Sequence, residues 1–155
     1  MAMEINKLSP HTGAEITGVD LAREIDPDTA AGIYRAWLDH VVVVIRDQAL
    51  SQADLLRIST CFGAVGDLGR PTEYRTKGHF DALPNIMLVS NIRENGEPIG
   101  SLPDGDMMFH HDMLHSANPH KATVLYSVEV PSHGGNTLFA NGYRAYDTLP
   151  DDLRE

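Results

Sequence analysis

The sequence predicts a mixed α+β chain, built around a sheet sandwich or barrel with flanking helices. Three features of its 155 residues lead there. Apolar residues recur at helical spacing in two early stretches, short alternating or wholly apolar runs dominate later, and Gly and Pro separate the two kinds of segment. There is no internal repeat and no low-complexity tract, and the length suits a single domain over residues 1–155.

Between Met3 and Asp20, Ile5 and Leu8 alternate with polar neighbours, and Gly13, Ile16, Gly18 and Val19 follow, a pattern of two short strands. Asp26-Pro27 then opens a helix, because aspartate can cap exposed N–H groups and proline at the first helical position forfeits no bond. Ala30, Ile33, Tyr34, Trp37 and Leu38 form its apolar face as far as His40. Val41–Ile45 is all β-branched and predicts a strand buried on both faces. Ser51 and Asp54 have capping-box spacing, and Leu55, Leu56, Ile58 and Cys61 carry a second helix towards Phe62-Gly63. The stretch from Gly63 to Pro84 has no sustained period and reads as an irregular loop. Strand character returns at Ile86–Val89, Thr123–Val130 and Thr137–Ala140. Asn141 caps a short helix through Tyr146, and Pro150 opens a last helical turn.

Composition excludes several function classes. Twelve Lys and Arg stand against 22 Asp and Glu, a formal charge of −10, which disfavours nucleic acid or an anionic membrane as partner. The longest apolar run, Val41–Ile45, is far below the roughly 20 residues of a membrane helix. No basic start followed by an apolar stretch suggests a signal peptide. A single cysteine, Cys61, cannot close an internal disulfide, so a reducing, cytoplasmic location is expected. Cys61 itself reads as a small buried hydrophobe, Trp37 as helix core, and Met107-Met108 as packing beside the site.

The chemistry concentrates late in the chain. Five of the eight histidines (His110, His111, His115, His120 and His133) fall within 24 positions, and imidazole is the commonest ligand for mid-series transition metals. Among them stands His110-His111-Asp112. On a strand, residues i and i+2 share a face, so His110 and Asp112 would project together and His111 away. One nitrogen and one carboxylate side by side form the first arm of a 2-His-1-carboxylate metal site. Neither His111 nor His115, His120 or His133 has a reason to converge as the third ligand.

Phe109-His-His-Asp112, Lys121-Ala-Thr-Val-Leu-Tyr126, Glu129-Val-Pro-Ser-His-Gly-Gly-Asn-Thr-Leu-Phe139 and Ala145-Tyr-Asp-Thr-Leu-Pro150 follow one another in order. Together with Gly13-Ala-Glu-Ile-Thr-Gly-Val-Asp-Leu21 and Cys61-Phe-Gly63, this series resembles the amino-terminal part of the taurine dioxygenase (TauD/TfdA) family of Fe(II)- and 2-oxoglutarate-dependent oxygenases. The resemblance implies a double-stranded β-helix, a cupin-like jelly roll, incomplete as given because the carboxyl-terminal half of the barrel is absent. It implies His110 and Asp112 as iron ligands, and Thr137, 27 residues beyond His110, as a hydrogen-bond donor to the distal carboxylate of 2-oxoglutarate. Gly134-Gly135 is then a tight turn that sets Thr137. The second histidine ligand and the arginine that pairs with 2-oxoglutarate would lie beyond Glu155. Arg70, Tyr74 and Asp106, with His79, occupy loops that approach substrate in relatives. Arg70 would welcome a carboxylate or sulfonate there, and Asp106 would oppose one.

The implied reaction uses dioxygen and 2-oxoglutarate to hydroxylate a small organic substrate, releasing succinate and carbon dioxide, and a homo-oligomer is expected. Two other classes stay open. One is a truncated, non-catalytic metal-binding or interaction domain of the same fold. The other is a hydrolytic or isomerising enzyme built on zinc, disfavoured because zinc sites usually take three protein ligands.

Overall fold

The computed structural model describes residues 2–66, 82–83, 85–101, 105 and 107–154. The elements in chain order are β1 (Glu4–Lys7), β2 (Ala14–Thr17), α1 (Pro27–His40), β3 (Val43–Val44), α2 (Gln52–Ser59), β4 (Arg93–Glu94), β5 (Glu97–Pro98) and α3 (Gly142–Asp147), with a closing 3₁₀ turn at Asp151–Leu153. The architecture is therefore α+β with small sheets, as the sequence pattern predicts. Two compact units divide it, Met1–Leu50 with Val124–Glu155, and Ser51–Thr123.

In the first unit β1, β2 and β3 form one sheet in that order. β1 runs antiparallel to β2, with Ile5 opposite Ile16, and β3 runs parallel to β2, with Ala14 opposite Val43. Asp26 caps α1 by accepting from the Thr29 amide at 2.9 Å, with Pro27 at the first helical position. Ala14, Ile16, Leu21, Ile33 and Ala36 are buried. Ile16 and Ile33 are the largest of these that are fully enclosed. Each such side chain contributes roughly 2 kcal/mol by leaving water. Leu38, expected on this face, is exposed, and Ala36 takes the inward position.

Long-range polar contacts tie the rest of this unit together. The Gln48 side chain accepts from the Leu21 amide at 2.7 Å and donates to the Val19 carbonyl at 3.2 Å. The Tyr126 hydroxyl accepts from the Leu50 amide and donates to the Gln48 carbonyl. Asn141 caps α3 by accepting from the Arg144 amide, and its amide nitrogen donates to the His11 carbonyl at 2.6 Å.

In the second unit, Ser51 and Asp54 form the reciprocal capping box that their spacing predicts. α2 ends at Ser59 rather than running to Gly63. From Thr60 to Gly63 each amide bonds three residues back, so the chain tightens instead of continuing the α-helix.

Several expected strands differ. The valine run forms only the two-residue β3 and is half-buried throughout, because Val41 closes α1 with a left-handed backbone (φ 69°) and β3 has β2 alone beside it among the described residues. Ile86–Val89, Thr123–Val130 and Thr137–Ala140 form no ladder among the described residues. Residues 121–126 nevertheless alternate in exposure, Ala122, Val124 and Tyr126 being half-buried and Lys121, Thr123 and Leu125 exposed. That is the side-chain period of a strand. Conversely, Asn95-Gly96 closes a β4–β5 hairpin. Both residues have positive φ, 52° and 86°, as a two-residue turn of this hand requires. Trp37 is half-buried and packs at a tilt on Tyr34, Cys61 is half-buried, and Met107 and Met108 are exposed rather than packed. Among the described residues no helix is long and apolar enough to cross a membrane.

Candidate metal centre

The His-x-Asp segment lies on irregular chain that enters a turn over residues 112–115, not on a strand, and Met113 there has φ 57°. The strand argument for a shared face therefore fails, yet the two side chains still meet. His110 Nε2 stands 3.1 Å from Asp112 Oδ1, with both side chains about half exposed. His111 turns its Nδ1 to the Asp112 carbonyl at 3.0 Å, away from the pair.

The outer contacts determine what this pair can do. His110 Nδ1 lies 2.9 Å from the Met108 carbonyl, which can only accept, so Nδ1 carries a proton and donates. In the neutral ring Nε2 is then a bare lone pair, and it faces a carboxylate oxygen. Two acceptors at that distance call for a positive charge between them. A proton on Nε2 is one answer, and His110 accordingly titrates above its ordinary range, chiefly through the Met108 carbonyl and further through the Asp112 charge, against some desolvation. A metal ion is the other. Two neighbouring ligands on an octahedral ion with bonds of about 2.1 Å lie about 3.0 Å apart, close to the 3.1 Å found here. The remaining Asp112 oxygen, Oδ2, accepts from the Thr123 hydroxyl at 2.6 Å.

This nitrogen-and-carboxylate pair fits a ferrous ion as two of its ligands. Among the described residues no group of three or more His, Cys, Asp and Glu side chains could hold a metal ion. Thr137 belongs to the first unit and is exposed, and Gly134 and Gly135 before it have φ values of 74° and 67°. Arg70, Tyr74, His79 and Asp106 lie outside the described residues. A groove of about 440 Å³ in the first unit, lined by Glu15, Thr17, Asp20, Arg46 and Gln48 among others, contains none of the expected site residues.

Sequence reasoning missed Met108 and Thr123. A backbone acceptor leaves no trace in composition. Thr123 left one, since it occupies the exposed phase of the alternation around Ala122 and Val124.

Pentalenolactone F synthase of Streptomyces avermitilis is 36% identical over 158 aligned residues, covering 99% of this chain and 50% of the relative. The (S)-phenoxypropionate/alpha-ketoglutarate-dioxygenase of Sphingobium herbicidovorans is 29% identical, covering 99% of this chain and 50% of the relative. A crystal structure of a taurine dioxygenase from Burkholderia xenovorans aligns with 50% of this chain and 27% of its own at 39% identity, with a TM-score of 0.43. The chain spans about half the length of the curated relatives it matches. The family model for the taurine catabolism dioxygenase TauD, TfdA family, matches residues 4–155, and the chain belongs to that family.

Proposed function

We propose that this chain supplies one part of the active site of an Fe(II)- and 2-oxoglutarate-dependent dioxygenase that hydroxylates a small organic substrate, with release of succinate and carbon dioxide. The observation that carries this reading is the His110 Nε2 lone pair facing Asp112 Oδ1 at 3.1 Å, with Nδ1 committed to Met108. Family membership and the names of the relatives support it.

His110 and Asp112 bind the ion, and the Met108 carbonyl holds the ring in the tautomer whose Nε2 can coordinate. Bound Fe(II) supplies the redox chemistry that couples oxidative decarboxylation of 2-oxoglutarate to hydroxylation of a C–H bond by dioxygen. Thr137 donates a hydrogen bond to the distal carboxylate of 2-oxoglutarate, and Arg70, Tyr74 and Asp106 face the substrate. A second histidine ligand and an arginine for 2-oxoglutarate come from polypeptide outside these residues, which also completes a double-stranded β-helix. Residues 1–155 then form part of one oxygenase domain, in a cytoplasmic homo-oligomer. The alternative reading is a truncated, non-catalytic metal-binding or interaction domain of the same fold.

Anaerobic addition of Fe(II) and 2-oxoglutarate to the whole polypeptide tests the proposal. A weak visible charge-transfer band that disappears in His110→Ala is expected. Its absence from the wild type overturns the oxygenase reading. A band without release of succinate in air leaves the non-catalytic reading standing.

A further inference from the structure

An aspartate side chain on exposed chain has a broad terminal torsion, and nothing in the His-x-Asp tripeptide determines which carboxylate oxygen meets His110. The structure supplies that determinant eleven residues away. Thr123 Oγ1 donates to Asp112 Oδ2 at 2.6 Å, within the short range of hydroxyl bonds to an ionised carboxylate. The hydroxyl is delivered by a segment on which Ala122 and Val124 are half-buried and Thr123 is turned outward. With Oδ2 tied, the lone pairs of Oδ1 are aimed at the point that His110 Nε2 also faces.

We propose that Thr123 is the positioning residue for Asp112, acting through its hydroxyl to hold the carboxylate with Oδ1 towards His110. The proposal rests on the reading of His110 and Asp112 as a metal-binding pair. It extends that reading to a residue that touches neither metal nor substrate. Loss of a partner of this kind lowers metal affinity about 10- to 100-fold.

The test is a Mn(II) titration of the whole polypeptide, read as loss of the free-ion electron paramagnetic resonance signal, in wild type, His110→Ala, Thr123→Val and Thr123→Ser. Far-UV circular dichroism checks folding, and Thr123→Ala replaces the valine variant if that one does not fold. The expected result is loss of binding in His110→Ala, weakening of about 10- to 100-fold in Thr123→Val, and affinity within about threefold of wild type in Thr123→Ser, which keeps the hydroxyl. Wild-type affinity in Thr123→Val overturns the proposal while leaving the metal pair intact. So does an equal loss in Thr123→Ser, because the hydroxyl would then not be the cause. Failure of the wild type to bind Mn(II), with His110→Ala no different, overturns the metal-pair reading and this inference with it.

Discussion

Asp54 at the start of α2 and Asp112 beside His110 each receive a hydroxyl on Oδ2 at 2.6 Å, from Ser51 and from Thr123. They differ at the other oxygen. Asp54 Oδ1 accepts from the Arg57 guanidinium at 3.0 Å, so both oxygens are served and the charge is balanced within one helical turn. Asp112 Oδ1 meets an imidazole nitrogen whose only proton, in the neutral ring, is used elsewhere. A carboxylate that completes its own bonding is a structural element. One that leaves an oxygen facing a second donor atom is, on the proposed reading, the one that takes a cation.

Asparagine substitution should separate the two most sharply. Asp112→Asn removes the charge that a metal needs and should weaken Mn(II) binding by more than about a hundredfold, beyond the usual cost of losing an outer partner. Asp54→Asn should leave the same titration unchanged, and equal losses in the two variants would erase the distinction.

Acid provides the next separation. The raised pKa of His110 means that the proton competes with metal to a higher pH than for an ordinary histidine. Without metal, protonated His110 favours the folded state fully below its unfolded pKa, and that contribution is lost as pH rises through the folded value. Metal affinity runs the other way and should fall about tenfold per unit as pH drops below the folded pKa, as calorimetric titration at several pH values would show.

The smallest effect belongs to the α2 cap. Asp54 is lowered to about 2, first by the Ser51 hydroxyl and then by Arg57. Its contribution to stability is present above the ordinary aspartate pKa and disappears as pH falls through about 2, which a carboxyl carbon NMR titration would follow. Ser51→Ala should cost about 1 kcal/mol in urea denaturation. It should also return the Asp54 midpoint towards its ordinary range while sparing metal binding.

The same contrast explains what could be read in advance. Asp26, Ser51 and Asn141 were legible as caps because each satisfies amides within three residues, and local bonding follows local sequence. Strand character at 86–89 and 123–130 was legible only as a side-chain pattern, since a ladder needs a partner that no local stretch specifies. Leu88 and Ile92 instead accept single bonds from Ser101 and Ile99. His110 and Asp112 do stand side by side, but on a turn with outer hydrogen bonds to Met108 and Thr123 rather than on the pleat of a strand. The role of Thr123 depends on a contact across eleven residues, which a motif-length window does not reach.

The left-handed exit of α1 at Val41 has a consequence for assembly of the sheet. Its amide still closes the helix onto the Trp37 carbonyl, and the next carbonyl, from Val42, already accepts from Ala14. Val41 therefore ends the helix between two carbonyls, those of His40 and Val42, that accept from the Gly13 and Ala14 amides. Among five consecutive interchangeable β-branched side chains, a slide of one step would reverse the face that each presents. Val41 works as a detent against that slide, and it does so through backbone shape, where side-chain identity offers no grip.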